Sequence, residues 1–551
     1  MELHTSFTKE DAAKIEKLFG QLVEIQSDTS SVKENDISEF IYSWLSDLSY
    51  FKMHENLLGR TLIPDDPFGR SVIWALLKGT SEETIILMNH HDAIDIEEYD
   101  DLKSIALKPK ALREKLMERK LTKEVLEDLQ NDDWIFGRGT ADMKSGIAIQ
   151  MWLLSKLSRE EKLKGNILFV SVCDEENLSA GMREAVKILS NLKSNYQLDY
   201  KCAINSEPYI KKENEAPIYY EGSVGKVMPV IFARGKKSHI GEVYSGLNPT
   251  FLLSRIHMDI EVNLKFSDCV EGEISPPPTW VYYRDQKLNY DASLPEAAVG
   301  YFSVLTLTTP PSEVLKKVKD ICYDSFLYCT EHVKKSYQSA VNISQYSIES
   351  PEFIPRVLAY QELYQMLSEQ LGKSFICGIK DHTMKLKSAI KSGEITLQDA
   401  TIAIIEKTIS YLPDQEPIIV IAFSGPLYPH VCNLDLRNNV SEAFNSIINN
   451  FTTEKWGVEF KKRNYFMGIS DFSYTSFLMG DAEISSIESN TPGWGELYHI
   501  PLEQLKELKM ELVNFGPWGK DLHKVTERVS KLDVFNRIPQ LMEYFVKQQL
   551  K

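Results

Sequence analysis

The sequence predicts an α/β fold, a mainly parallel sheet covered by helices, with a smaller α+β domain inserted into it. Three observations carry this expectation. As far as Glu207, short apolar runs alternate with amphipathic stretches, the pattern of strand–helix units in a parallel sheet. Near Ile218 the texture changes to longer segments typical of antiparallel strands. At 417–423 a wholly apolar run returns, which reads as re-entry into the first sheet. The expected organisation is a principal domain in two parts, residues 1–217 and 412–551, an inserted domain at 218–345, and a helical bridging segment at 346–411.

The elements follow in order. Thr8-Lys9-Glu10-Asp11 is a capping pattern that opens an amphipathic helix to about Ile25, and a second helix runs over about 34–48. Residues 71–77 and 84–88 read as strands, the latter ending at Asn89-His90-His91-Asp92. The charged, helix-prone stretch 107–130 reads as an inserted surface element rather than core. Gly137-Arg138-Gly139-Thr140-Ala141-Asp142 is a glycine-rich turn before an apolar helix at 147–157. The strand 166–172 ends at Cys173-Asp174-Glu175-Glu176, a helix covers about 180–193, and the strand 202–205 ends at Ser206-Glu207-Pro208. In the inserted domain, 224–232 and 281–307 read as antiparallel strands around a helix at about 249–263, punctuated by Ser275-Pro276-Pro277-Pro278.

Composition excludes several classes. A chain of 551 residues allows several domain-sized units. Its 62 basic against 79 acidic residues leave a net charge of −17, with no basic surplus to offset phosphates, so nucleic acid is not an expected partner. Seven scattered cysteines with no CxxC pair suit reduced thiols and a cytoplasmic location. The first eight residues carry neither a basic nor an apolar leader region, and no continuous apolar stretch reaches the roughly 18 residues of a membrane span.

Ligands of parallel sheets bind beyond the carboxyl ends of the strands. His90, Glu176 and Glu207 lie just past such ends, and Asp142 lies in the glycine-rich turn. With His523 they form a set of metal-type ligands, and a two-metal site needs one ligand to bridge its ions. Asp92, two residues after His90, is placed to orient the imidazole. Glu175 is the carboxylate left over for proton transfer. Each has a bland reading alone: a core histidine, an Asx turn at Asp142, or a solvated helix start at Glu175-Glu176. Their joint order favours the ligand reading. His91, His430 and His499 lack such partners and read as structural. Lys144 reads as support for the turn, and Cys173 and Cys202 as inert core thiols.

The motifs resemble those of the co-catalytic zinc amidohydrolases, a family that includes aminoacylase, acetylornithine deacetylase, succinyl-diaminopimelate desuccinylase and glutamate carboxypeptidase. His90-His91-Asp92 resembles its H-x-D motif, and Gly137 to Gly146 its G-R-G-x-x-D-x-K-G. Asp174-Glu175-Glu176 resembles its D-E-E, and Ser206-Glu207-Pro208 its acidic-Pro motif. Gly516-Pro517-Trp518-Gly519, with His523 and Glu527, resembles its terminal G-P-G-x-x-x-H-x-x-x-E. The resemblance implies that His90 and Glu207 hold one zinc, Glu176 and His523 the other, and that Asp142 bridges them, with a cis peptide to Met143. Cobalt and manganese accept the same ligands. Glu175 becomes the general base.

Ser238-His239-Ile240-Gly241 and Gly246-Leu247-Asn248-Pro249 resemble the family's lid motif, departing from it at Glu242-Val243 and Pro249. The lid histidine there helps polarise the scissile carbonyl, in some members across a dimer. This implies roles toward substrate for His239 and Asn248, and a homodimer through the lid. Gly468-Ile469-Ser470-Asp471 loosely resembles a substrate-side loop, and no counterpart of the family's substrate-carboxylate arginine is found. The expected activity is hydrolysis of an amide in a small N-acyl amino acid or short peptide. The long helical insert resembles members serving arginine utilisation. The alternative is a catalytically silent ligand-binding module of the same fold.

Overall fold

The computed structural model describes residues 7–343, 352–436 and 440–550. The expected boundary at 345/346, and most of the octapeptide read for a leader, lie outside them. The chain divides into two units: Met1–Ser223 with Val431–Leu478 and Pro501–Lys551, and Val224–His430 with Met479–Ile500. No helix among the described residues is long and apolar enough to cross a membrane.

The first unit is built on an eight-stranded sheet in the order Leu58–Leu62, Ser71–Leu77, Asn166–Val172, Glu83–His90, Asp199–Asn205, Glu511–Asn514, Ile218–Tyr220, Lys461–Arg463. The four strands from Asn166–Val172 to Glu511–Asn514 are mutually parallel, and antiparallel pairings flank them. Asn166–Val172 is buried at every residue and Glu83–His90 at all but its first, as strands covered on both faces must be. Helix Ser145–Leu157 is buried at every residue but Lys156, so it is apolar all round, and Lys9–Glu24 and Ile538–Gln549 pack against it. The register sets His90 opposite Val172 and Met88 opposite Asn205. Three neighbouring carboxyl ends therefore finish nearly level.

A second, three-stranded sheet joins Gly519–Lys520, Arg528–Ser530 and Trp134–Phe136 in that order. The stretch before it differs from expectation. Helices Pro109–Leu116 and Lys123–Gln130 are not a surface decoration. With Tyr99 and Leu102 they bury Leu112, Leu116, Val125 and Leu129 against Trp134 and Phe136, which gives the insert its own small core. The many charges occupy the outer faces of short amphipathic helices and mask the apolar stripe.

The second unit carries a sheet ordered Thr279–Asp285, Ala297–Thr306, Pro229–Arg234, Ile418–Phe423, Val357–Ala359. This corrects the expected return to the first domain at 412, because Ile418–Phe423 pairs antiparallel with Pro229–Arg234. The chain re-enters the first unit at Val431. The apolar run misled because it is buried on both faces: Ile419, Ile421 and Phe423 enter one core, while Ile418, Val420 and Ala422 enter another. The first core is closed by Pro249–Ile260 and Pro311–Ile343. The second is closed by Tyr360–Leu371, Lys373–Lys391 and Leu397–Ile409. The segment read as a bridge is thus one helical face of this unit.

Gly516 shows how tightly the C-terminal segment is laid against the principal sheet. A Cβ there would stand 2.3 Å from the carbonyl oxygens of both Ser206 and Glu207. These are backbone atoms that cannot swing aside, so Gly516→Ala is expected to destabilise the fold by ~1–3 kcal/mol, as overpacking does. Denaturant unfolding of the variant checks this, and an unchanged midpoint would contradict the packing described.

Candidate metal centre

Three strand ends and one turn deliver the candidate ligands. His90 ends Glu83–His90, Glu175 and Glu176 follow Asn166–Val172, and Glu207 follows Asp199–Asn205. Gln150 ties two of these ends together: its amide donates to Met88 O at 2.9 Å and to Ser206 Oγ at 3.0 Å. Asp142 sits in the turn Thr140–Lys144, and the Asp142–Met143 peptide is cis. Lys144, buried beneath the turn, donates to Ile25 O at 2.5 Å and so pins it to the end of the first helix.

The five expected ligands come together. His90 Nε2 lies 3.0 Å from Asp142 Oδ1 and 3.3 Å from Glu207 Oε1. His523 Nε2 lies 3.2 Å from Asp142 Oδ2 and 3.1 Å from Glu176 Oε1. Two triads result, His90–Asp142–Glu207 and Asp142–Glu176–His523, sharing Asp142. Asp92 is fully buried behind them. Its carboxylate lies 3.5 Å from His90 Nδ1 and accepts the backbone N–H groups of Glu175 at 3.1 Å and Glu176 at 3.2 Å. The Asp92 backbone carbonyl, 3.1 Å from His90 Nδ1, orients the imidazole, with the carboxylate beside it, and the same carboxylate holds the acidic loop.

The electrostatics call for positive charge. Burial, then Asp142, pushes Glu207 up to about 7, and the same two causes raise Glu176. Burial, with Glu207 and Asp471 working against His90, holds Glu175 well above the carboxylate range. The carboxylates of Asp142, hydrogen-bonded to it, and Glu176, in close contact, push His523 up to about 10. Both imidazoles face carboxylate oxygens across distances that a proton or a cation must fill. Glu176 Oε1 is buried and accepts no hydrogen bond, although His523 Nε2 stands beside it. Two imidazoles and three carboxylates make a donor set that fits borderline divalent ions.

Two supports escaped the reading of the sequence, though both residues lie in its motifs. Glu527 Oε1 accepts the N–H of Ala141 at 3.1 Å and of Asp142 at 3.3 Å. Its other oxygen pairs with buried Arg138 at 2.9 Å, and Arg138 also donates to His523 O at 3.0 Å. Arg138 and Glu527 thus set the backbone of the shared carboxylate and of one histidine. Nothing in local periodicity announces a pair so distant in sequence. Asp174 is the other omission: Arg70 reaches it at 2.5 Å, and its own N–H donates to Glu34 at 2.8 Å, which fixes the residue before Glu175.

The remaining positions belong to neither triad, though Asp471 lies close enough to feel His90 and Glu207. His91 contacts Ser171 at 3.0 Å in the core, and His430 contacts Thr306 at 3.3 Å. Asp471 is buried, and burial pushes it up to about 8. His239 and Asn248 belong to the second unit. His239 is exposed and its Nδ1 accepts the Gly241 N–H at 3.1 Å, while Asn248 Oδ1 caps helix Pro249–Ile260 through Thr250 N–H at 3.0 Å.

Comparison with known proteins identifies the family. Residues 121–548 match the model of peptidase family M20/M25/M40. The chain is 32% identical to the Bacillus subtilis protein YqjN over 97% of its own length and 96% of that protein. It is 28% identical to RocB of the same organism over 97% and 94%. In fold it is similar to the M20 family metallo-carboxypeptidase Sso-CP2 from Sulfolobus solfataricus, with TM-score 0.53 and 11% identity over 96% of this chain and 98% of that one. The chain belongs to peptidase family M20/M25/M40 and is, at that level, a metal-dependent hydrolase.

Proposed function

We propose that the chain is a two-metal amidohydrolase that cleaves an amide in a small N-acyl amino acid or a short peptide. One observation carries the reading: two ligand triads share Asp142, and Glu175, beside Glu176, belongs to neither. His90 and Glu207 hold one ion, Glu176 and His523 the other, and Asp142 serves both. Zinc suits this set, and cobalt or manganese accept it. Ions held there polarise a carbonyl and ease deprotonation of a water.

Glu175 takes the proton from water and returns it to the leaving amine. The Asp92 carbonyl oxygen accepts from His90 Nδ1 at 3.1 Å, so that Nε2 points its lone pair at the site. His239 accepts at Nδ1, so its neutral ring carries the proton on Nε2, a donor suited to a developing oxyanion. We assign it that role in the reaction, and the Asn248 amide a role toward substrate. A homodimer through the inserted unit and a cytoplasmic location complete the reading. An arginine-related amide is one member of the substrate class. A silent binding module is disfavoured, because no ligand and no base is missing.

A panel of acyl amino acids, arginine derivatives among them, and dipeptides tests the function. Glu175→Ala is expected to lose activity on the best substrate by ~10²–10⁴-fold while keeping its metal. Near-normal rates in a metal-replete variant would end the assignment of the base. Elemental analysis separates the ligands: Asp142→Ala should lose both ions and His523→Ala mainly one, so two tightly held ions in the Asp142 variant contradict a bridge. His239→Ala should lower kcat more than it raises KM, because it removes a donor used in the transition state. Wild-type kcat with full metal content would make His239 structural.

A further inference from the structure

We propose that the helical insert is a positioning device for one of the two ions, acting through Asp128 on the loop that carries His523. This rests on the two-ion reading. His523 lies in the loop of a hairpin whose strands, Gly519–Lys520 and Arg528–Ser530, set Lys520 opposite Arg528. Both of these basic side chains are buried, at 5% and 1% exposure, on the same side of the hairpin. Four carboxylates surround the pair: Glu213 and Glu124 face Lys520 at 2.8 and 3.1 Å, Asp521 faces Arg528 at 2.5 Å, and Asp128 is the buried one that hydrogen-bonds to both. Asp128 Oδ2, on insert helix Lys123–Gln130, accepts from Arg528 Nε at 2.7 Å and from Lys520 Nζ at 3.0 Å. Asp128 is itself only 5% exposed. It therefore ties both strands of the hairpin at the point where the loop departs.

Arg528 carries the restraint into the loop. Its Nη1 donates to Asp521 Oδ2 at 2.5 Å and to Thr526 O at 3.1 Å, and Thr526 Oγ1 closes back on Asp521 at 2.9 Å. The loop needs such a brace. Asp521 and His523 both have left-handed backbone, with φ of 52° and 65°, a conformation that residues other than glycine adopt only when held there. Removing the Asp128 charge would leave two buried cations facing each other with less compensation, and the hairpin would relieve this by opening. The effect is selective by geometry. His523 serves one triad only, while the shared Asp142 is held through Glu527 by Arg138, an anchor separate from Asp128, and His90 comes from a strand end outside this network.

The test is metal binding by the full chain, stripped with chelator and titrated with Zn²⁺ under buffered conditions, with thermal melting of the metal-free protein alongside. Wild type is expected to take two equivalents. Asp128→Asn should hold one equivalent with unchanged affinity and the other 10- to 100-fold more weakly, the usual cost of losing a group behind a ligand. Asp128→Glu should restore part of the loss. Asp132→Asn, on the exposed side of the same insert, should behave as wild type. Two equivalents of unchanged affinity in Asp128→Asn, or equal weakening of both, overturns the proposal. Should Asp128→Asn not fold, Asp521→Asn decides by the same criterion, because it cuts the brace at a less buried point. Fewer than two equivalents in wild type overturns the two-ion reading itself, and the clamp with it.

Discussion

The site depends on holding several like charges together at the end of one sheet. Asp142, Glu175, Glu176 and Glu207 crowd together with buried His90 on one side and exposed His523 on the other. Left to themselves they would repel each other or take up protons. The fold counters this in two ways. It fixes the backbone of each acidic segment by hydrogen bonds to groups outside the site, and it aims the side chains at common points where a cation can sit. Asp142 is central to both. Its two oxygens face different histidines, and its backbone is held by Glu527, which is held in turn by Arg138.

Two architectural pieces meet at that residue. The parallel sheet supplies His90, Glu176 and Glu207 from three adjacent strand ends. The small three-stranded sheet supplies the other side: Trp134–Phe136 leads into the Asp142 turn, and the Gly519–Ser530 hairpin carries His523. Because Trp134–Phe136 and Arg528–Ser530 are hydrogen-bonded neighbours, the segments that carry the bridging carboxylate and the distal histidine start from one small sheet. This arrangement also explains the long insert before Trp134. Its core packs on Trp134 and Phe136, a strand of the small sheet.

Much of this was legible in the sequence, for identifiable reasons. An apolar run that ends abruptly in His or Glu announces a strand end with a function, and the parallel register then does the assembling. His90, Glu176 and Glu207 were readable on that ground, and Asp142 and His523 through ordered motifs. The run 417–423 was misread because a strand buried on both faces has the same composition in either sheet. The insert was misread because net charge hides an apolar stripe. Arg138–Glu527 and Asp128–Arg528 are ion pairs between distant segments, and no period or propensity encodes which distant charge a buried arginine will meet. The inserted unit left its own residues least determined, since His239 and Asn248 are defined by local caps and loop geometry.

The strand Glu511–Asn514 lies between Asp199–Asn205 and Ile218–Tyr220, yet it is synthesised about 300 residues after them. Until it emerges from the ribosome, the edge of Asp199–Asn205 is unpaired, and the chain that will follow is an entire second unit and more. An open, apolar strand edge is a template for wrong partners. Closing so long a loop is also slow, because its entropy is lost before any new contact compensates. The nascent chain therefore carries the half-built metal centre with an open sheet edge for much of its synthesis, and the centre is closed only by residues near the end of the sequence.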